Sequence, residues 1–515
     1  MSPTVRTLSE SLLQQMSERI EARTGLHFPK TRFADLARGL EQASGESGSR
    51  DACAYAESLL TRDLHAADVE ILAGSLTIGE THFFRDPRAF ALLETTLLPE
   101  LIASKRNGDR RLRLWSAGCA SGEEPYSLAI LLHRLIPDLA DWNITILATD
   151  LNPKALARAA AGIYTEWSFR DTADWVKPEY FTLCSGNRYA INPRLKHMVT
   201  FACLNLADDN YPSVLNNTNA LDLIICRNVL LYFSPTRIPE VVRRFYRALV
   251  DGGQLVLGAV EASQVVTPEL TFVAAPGVAL YRKDGRTGEA KLETGTSKLE
   301  AQKLGILIAE GARTPGAAFK VSRHNVPVSR PKPTSTAKRS SSGPPAETPP
   351  SLYAAGRYRE ACQMLLAEAD RAKGRDPQSA VLLAQCYASL GELAEALVWC
   401  ERALAIARTD PALHFLHAGI LQELSRDDES QRALRNVLYL DPGHVAAHYA
   451  MANLHRRGNR LPAATRHLAN VRQLLAGRDE SEELPQSGGL TVGRLNAIMN
   501  ATLGLTGTKN GKTHE

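Results

Sequence analysis

Leu112-Arg-Leu-Trp-Ser-Ala-Gly-Cys-Ala-Ser-Gly-Glu-Glu-Pro-Tyr-Ser-Leu-Ala129 decides the fold. The apolar run Leu112 to Ser116 reads as a buried strand. It breaks into a turn holding Gly118 and Gly122, and a helix opens at about Glu123. Glycines there let the main chain approach a ligand, and a helix amino terminus offers free N–H groups. Gly-x-Gly-x-x-Gly is absent and no Gly-Lys-Ser/Thr follows, so a pyrophosphate is not the favoured ligand. Glu124 would repel phosphate but suits the ammonium of an amino-acid moiety. The plain alternative is a structural turn with ordinary helix-start acids.

Outward from this segment, residues 112 to 282 alternate short apolar runs with helical stretches, the pattern of a mostly parallel sheet covered by helices. The expected strands are Leu112 to Ser116, Ile144 to Thr149, Met198 to Leu204, Leu221 to Cys226 and Gln254 to Gly258. An antiparallel pair, Thr271 to Ala274 and Val278 to Arg282, closes the sheet. Between Trp167 and His197 the chain turns aromatic and charged around Gly186-Asn187, which predicts a small inserted lobe over 167–197. Ahead of the sheet, Leu12, Met16, Ile20 and Phe33, Leu36, Leu40 recur at helical spacing and predict a helical domain over 1–100.

Three further segments bring chemistry to this sheet. Asp150 directly follows the second strand, where an acid can accept both ribose hydroxyl protons, or can serve as a helix cap. Gly79-Glu-Thr-His-Phe-Phe-Arg-Asp-Pro87 joins the helical domain to the sheet and packs polar residues against aromatics, as a cleft requires. Within it Arg85, with its planar donor fork, is a better ligand for a carboxylate than His82 is a catalyst. Leu221-Asp-Leu-Ile-Ile-Cys-Arg-Asn-Val-Leu-Leu-Tyr-Phe233 delivers Arg227, Asn228 and Tyr232 to a strand's carboxyl end. Cys226 lies on the apolar run and reads as inert core.

The 515 residues exceed one core, and 44% hydrophobic with 23% charged residues is ordinary globular composition. The net charge of +4 hides an asymmetry: residues 311 to 346 hold seven Lys/Arg and no Asp or Glu, so the folded parts are not basic. Residues 284 to 349, rich in Pro, Ser, Thr, Lys and Gly, are expected to form a flexible basic linker. No signal peptide and no run of about 18 apolar residues is found, so no membrane insertion is expected. The eight cysteines form no C-x-x-C pair and have no His at metal spacing, which predicts reduced thiols, a cytoplasmic protein and no metal site. Behind the linker, Ala384, Ala418 and Ala452 stand 34 apart, as do Ala396, Ser430 and Ala464, and Ala403, Val437 and Val471. Small residues at this period resemble tetratricopeptide repeats, where paired helices approach closely. With a partial copy, Gly356-x-Tyr358-x-x-Ala361, they predict three repeats and a fragment over 350–480. A polar tail, 481–515, is expected to follow.

The four segments in this order resemble the CheR-type chemoreceptor glutamate O-methyltransferases, over about residues 10 to 283. Thr81-x-Phe-Phe-Arg85, Ser121-Gly-Glu-Glu-Pro-Tyr126, Ala148-Thr-Asp150 and Cys226-Arg-Asn228 carry the resemblance. The resemblance implies an α/β chain: an N-terminal helical domain, a Rossmann-like class I methyltransferase domain over 101–283 with an inserted β-lobe, and a C-terminal α-helical repeat solenoid. It implies S-adenosyl-L-methionine as cofactor and γ-glutamyl methyl esters on methyl-accepting chemotaxis-type receptors as product. Thr81, Arg85, Glu124, Asp150, Asn205, Leu206, Arg227 and Asn228 match its cofactor-contacting positions, with Asn205 and Leu206 flanking the adenine. Arg85 and Tyr232 match residues that handle the acceptor. Gly79 stands where some members have Asn. The inserted lobe corresponds to the one with which some members grip a receptor's carboxyl-terminal pentapeptide. The repeat resembles that of methyltransferases from surface-sensing, biofilm and gliding-motility pathways and implies a protein or peptide partner. The rival readings are a catalytically weak cofactor-binding scaffold acting through the repeat, and a nucleic-acid methyltransferase. Against the latter, the Asn/Asp-Pro-Pro-aromatic tetrad is replaced by Arg227-Asn228-Val229-Leu230, so no nucleic-acid partner is expected.

Overall fold

The computed structural model describes residues 7–284 and 347–499, apart from 50, 78, 214–215, 265–268, 276, 372–375, 459 and scattered positions after 479. The linker expectation falls almost wholly outside the described residues. At the amino end, helices α1 (Glu10–Thr24), α2 (Phe33–Glu46), α3 (Ala52–Thr61) and α4 (Ala66–Leu76) enclose Met16, Ile20, Leu36, Leu40, Leu59 and Leu72, all fully buried. This bundle ends earlier than expected. The next helices, α5 (Pro87–Leu92) and α6 (Leu98–Arg106), are joined by the π turn Leu93–Leu97 and bury Phe90, Leu93, Leu97, Leu98 and Ile102 in the core of the sheet domain. Their apolar stripe faces the sheet, so residues 87 to 106 belong to it.

The main sheet contains β1 (Arg111–Ala117) and β2 (Asn143–Asp150). A small three-stranded sheet follows, β3 (Ile163–Thr165), β4 (Phe181–Cys184) and β5 (Arg188–Ile191), in the order β3-β5-β4. This lobe begins at Ile163, upstream of the expected 167, because β3 pairs antiparallel with β5. The main sheet resumes with β6 (Val199–Cys203), β7 (Leu221–Cys226), β8 (Leu249–Leu257), β9 (Thr271–Ala275) and β10 (Val278–Arg282). Its order is β6-β2-β1-β7-β8-β10-β9, with the first five strands parallel and the last two joined antiparallel. This is the Rossmann-like arrangement. β1 and β7 are buried at every residue, which is why they read as mostly apolar runs, broken by Arg111 and Arg113 in β1 and Asp222 in β7. Helix α7 (Glu123–Leu135) covers one face; after α8 (Pro153–Ala161), α9 (Val176–Tyr180) and α10 (Pro193–His197), α11 (Ile238–Ala248) covers the other. The chain runs from β1 to β2 and on to β6 on one side, then crosses from β6 to β7 on the other side of β1, so the strand order reverses between β1 and β7 and a crevice opens at their carboxyl ends.

The repeat follows as three helix pairs: Pro377–Leu390 with Leu393–Ile406, Pro411–Glu423 with Asp427–Leu440, and Val445–Arg457 with Leu461–Leu475. Pro349–Ala354 and Tyr358–Arg371 precede them as the fragment. The small residues sit where the helices cross: Ala384, Ala396, Ala418, Ser430, Ala452 and Ala464 are all buried, and Ser430 Oγ donates to the Ala418 carbonyl at 2.9 Å. The tail after residue 481 is not simply polar. Leu484, Val492, Leu495 and Met499 are buried against Val445, Leu468, Val471 and Leu475, capping the last repeat's apolar face.

The array does not hang free of the catalytic domain. It docks on the amino ends of β1, β7 and β8, opposite the crevice. Glu423 Oε2 lies 2.9 Å from Arg111 Nη2 and 3.3 Å from Arg113 Nη1, with the Arg113 and Glu423 side chains only 3% and 2% exposed. Asn143 Nδ2 donates to the Glu423 carbonyl, Asn219 Nδ2 to that of Ala388, and Tyr358 Oη to that of Arg247. Lys283 donates to the Leu249 carbonyl while its ammonium lies 4.7 Å from the Tyr246 ring centre and 5.5 Å from that of Tyr358. Removing one member of a buried ion network leaves the others desolvated and unpaired. Glu423→Ala should therefore cost about 3 kcal/mol in a chemical denaturation series; a cost near zero would mean that the interface opens readily to water.

Candidate active site

The crevice is a cleft lined by Gly118, Ala120, Asp150, Leu151, Asn152, Leu204, Asn205, Leu206, Asn228, Val229, Tyr232 and Phe233, and by Thr24, Leu26, Thr77 and Gly79 from the N-terminal side. Its floor is the loop after β1. Gly118 and Cys119 donate their N–H groups to the Thr149 carbonyl at 2.7 and 2.9 Å, folding that loop over the end of β2. Gly118 has φ 83°, and a Cβ there would stand 2.3 Å from Val229 Cγ2, so only glycine lets the two loops meet. Four other residues around the cleft, Phe84, Asp86, Ala120 and Asn228, hold φ of 54°, 67°, 47° and 60° without being glycine. Such strain persists only where surrounding contacts enforce it, and it concentrates at functional sites.

Asp150 accepts from Ala120 N–H and Asn152 N–H, each at 2.8 Å, one on each carboxylate oxygen. Each oxygen keeps a lone pair for a further donor such as a ribose hydroxyl. Burial pushes its pKa up, and the N–H bonds only partly offset that. Asn205 donates from Nδ2 to the Arg23 carbonyl and to Asp208, which ties the cleft's wall to the N-terminal bundle. Leu204, Leu206 and Phe233 supply apolar surface for a flat ring.

Beside the cleft, Glu124 and Arg227 form a buried pair. Glu124 accepts from Ser116 Oγ at 2.7 Å and lies 3.4 Å from Arg227 Nη1, and Arg227 Nη2 lies 3.1 Å from Asp86. Burial raises the Glu124 pKa while Arg227 opposes the shift. Arg227 also donates to the Arg85 carbonyl, and its buried Nε–H has no acceptor among the described residues. An orphaned guanidinium donor next to a carboxylate suits a zwitterionic amino-acid group, with one charge for each end.

The structure thus brings Asp150, Asn205, Leu206, Asn228 and Tyr232 onto the cleft wall, with Glu124 and Arg227 adjacent and engaged with each other. Thr81 and Arg85 are not on that wall. Arg85 Nη1 donates to the Glu80 carbonyl and the Thr81 carbonyl accepts from Arg170, because the left-handed turns at Phe84 and Asp86 redirect this segment. Arg85 nevertheless lies near enough to Glu124 and Tyr232 to act on both electrostatically. Tyr232 is held by its carbonyl, which accepts from His27 N–H at 2.7 Å, and the Arg32 guanidinium lies 5.4 Å from its ring centre.

Sequence reasoning missed Thr24, Leu26 and Thr77, whose approach to the cleft depends on tertiary packing and left no motif. It also missed Glu261, buried behind the Asn228 loop; its one trace is an acid three residues after Gly258 at a strand's end.

Comparison with known proteins fits this geometry. Residues 79–276 match the family described as CheR methyltransferase, SAM binding domain, and residues 352–420 match a tetratricopeptide repeat family. A "Probable chemotaxis protein methyltransferase" of Rhizobium etli is 34% identical over 217 residues, 42% of this chain and 77% of that protein. The chain belongs to the CheR methyltransferase family. Chemotaxis protein methyltransferase 1 of Pseudomonas aeruginosa is 37% identical over 218 residues, 41% of this chain and 77% of that protein. A "Probable biofilm formation methyltransferase WspC" of the same organism is 29% identical over 382 residues, 74% of this chain and 80% of that protein, a span that reaches into the repeat. The cofactor of this CheR domain is S-adenosylmethionine, and the cleft fits it: a carboxylate with spare lone pairs, an apolar slot and an unspent guanidinium donor lie together.

A carboxylate with a raised pKa protonates at a higher pH than an ordinary one, and once neutral it no longer attracts a cation. Calorimetry should show S-adenosylmethionine affinity level near pH 8 and falling as the pH drops towards about 5. The stability contribution of Asp150 has the opposite sign: the cost of holding it ionised is present at neutral pH and relaxes as pH falls through the folded-state pKa. Affinity that is flat over this range would show that Asp150 and Glu124 titrate like exposed acids.

Proposed function

We propose that this CheR methyltransferase esterifies glutamate side chains on methyl-accepting chemotaxis-type receptors in a cytoplasmic sensory pathway, giving glutamyl methyl esters. The observation that carries the reading is the cleft at the carboxyl ends of β1, β2 and β7, with Asp150 on its floor and the Glu124–Arg227 pair beside it. In this reading Asp150 holds the ribose, Asn205 and Leu206 flank the adenine, and Asn228, Glu124 and Arg227 orient the amino-acid end. Thr81 and Arg85 lie on the segment that borders the mouth.

The cofactor supplies a methyl group on a sulfonium. A glutamate acceptor is ionised at neutral pH, so the chain needs no general base and must instead align and desolvate the carboxylate. In this reading Arg85 and Tyr232 do that work. A tight ion pair from Arg85 would quench the nucleophile; its tie to the Glu80 carbonyl leaves it as a loose electrostatic guide. The absence of any helix long and apolar enough to cross a membrane, among the described residues, is consistent with an enzyme that visits receptors from solution.

The repeat's role is partner binding, by a protein or peptide. Its dock on the amino ends of the strands stands one strand length from the cleft, about 20 Å along β1. An occupant of the array is therefore a segment other than the glutamate being methylated.

Incubation with labelled S-adenosylmethionine and receptor-bearing membranes should give alkali-labile label on a receptor-sized band. Cofactor binding without transfer would favour the scaffold reading instead. Asp150→Ala should weaken cofactor binding by about 1 to 3 kcal/mol as two hydroxyls lose a charged acceptor; unchanged calorimetry would remove it from the site. Tyr232→Phe should lower turnover more than cofactor affinity, because only the hydroxyl is deleted. Equal losses would make Tyr232 a cofactor contact.

A further inference from the structure

Glu261 is 0% exposed, and its carboxylate is saturated by main-chain donors from two loops. Oε1 accepts from Val229 N–H and Leu230 N–H, both at 2.7 Å, and Oε2 from Gly258 N–H at 2.7 Å and Asn228 N–H at 3.1 Å. Three of the four donors belong to the loop after β7, whose Asn228 and Val229 wall the cofactor cleft. Only a single 3-10 turn, Leu230–Tyr232, follows it, and Asn228 sits at φ 60°. Val229 in turn touches Gly118 so closely that no Cβ fits between them.

We propose that Glu261 is a positioning residue for the cofactor site, fixing the Asn228–Leu230 main chain against the glycine loop; this rests on the reading of the cleft given above. The chemistry requires a carboxylate. Four N–H groups need four lone pairs on two oxygens, and no neutral side chain of this size offers them. An amide in its place presents an NH₂ to two of the four donors, leaving them buried and facing another donor. Gly258 completes the device, because a Cβ there would lie 2.4 Å from Glu261 Oε2. Tyr232 is tied to this segment through its N–H bond to the Val229 carbonyl but has anchors beyond it, His27 N–H on its carbonyl and the Leu26–Phe233 bridge, so loosening Glu261 should disturb it less than Asn228 and Val229.

The test is calorimetry of the full chain with S-adenosylmethionine, with circular dichroism as the check on folding. Glu261→Gln should lower cofactor affinity about tenfold, with turnover at saturating cofactor and receptor falling less than about threefold. A purely structural role would lower the melting temperature without this split. Gly258→Ala keeps the carboxylate but pushes it off the amides, and should lose affinity by a similar factor. Because both changes break the same contact, the double variant should bind no more weakly than the worse single one. Affinity within about twofold of the parent in folded Glu261→Gln, or additive losses in the double variant, overturns the proposal. Should Glu261→Gln not fold, Gly258→Ala decides alone: lowered affinity supports the proposal and unchanged affinity overturns it. Asp150→Ala separates the two levels, since its failure to weaken binding would sink the reading of the cleft itself. Weakening there alongside normal affinity in Glu261→Gln would remove Glu261 alone.

Discussion

β1 is buried along its whole length, and every other part of the molecule answers to that constraint. A strand with no solvent-facing edge or face must satisfy each peptide group through neighbours and each side chain through packing. β2 and β7 supply the peptide partners, in parallel register on either side. Period-two alternation then divides the side chains: Leu112 and Leu114 enter the core under α7, while Trp115 and Ala117 enter the core under α11. At the carboxyl end the chain has nowhere to go but a sharp turn, which needs Gly118 and creates the floor of the cleft. At the amino end the face bearing Trp115 also carries Arg111 and Arg113, two cations that a buried strand cannot leave unpaired.

The same electrostatic logic runs through the cleft. Glu124, Asp150 and Glu261 are carboxylates withdrawn from water within one region, and each is satisfied differently. Glu124 has the Arg227 guanidinium and a serine hydroxyl, Asp150 two amides, and Glu261 four. Amides spread their partial charge and leave a net negative field, whereas a guanidinium cancels it. The cleft therefore retains acidity around Asp150 and a balanced pair at Glu124 and Arg227. This distribution suits a cofactor with a cationic sulfur and a zwitterionic end, and it is hostile to a pyrophosphate. The nucleotide-like loop and the absent phosphate motifs of the sequence thus have one physical explanation.

Much of this was readable in the sequence because the relevant physics is local. Interior parallel strands appear as apolar runs, a strand-to-helix turn needs glycine, and helix pairs crossing at Ala384, Ala418 and Ala452 need small residues at a fixed period. The unreadable parts depend on contacts between distant segments. Arg111 and Arg113 are charges on an otherwise largely apolar strand, and nothing near them in sequence identifies Glu423 as their partner. The apolar residues of the tail are too sparse to show a period, yet Val492, Leu495 and Met499 find the exposed end of the last repeat. Arg85 shows the converse. Its chemistry suits a carboxylate, but two left-handed residues beside it turn the segment aside, and residue type does not encode that turn.

The docking of the repeat bears on catalysis through register. A one-residue slip of β1 would move Arg111 and Arg113 to the face occupied by Leu112 and Leu114, deep under α7. The flanking strands oppose such a slip, and Glu423 opposes it further, because its carboxylate meets both guanidiniums only when they share the α11 face. The position of Gly118 along the sheet is set by that register, and Val229 seats on Gly118. The array thus fixes one end of the strand whose other end forms the cofactor floor, without any side chain passing from one to the other. A rigid strand transmits position but cannot by itself transmit a signal, which requires an element with two discrete arrangements. The contact of Glu423 with β1 is of this architectural kind: it fixes the strand that carries Gly118.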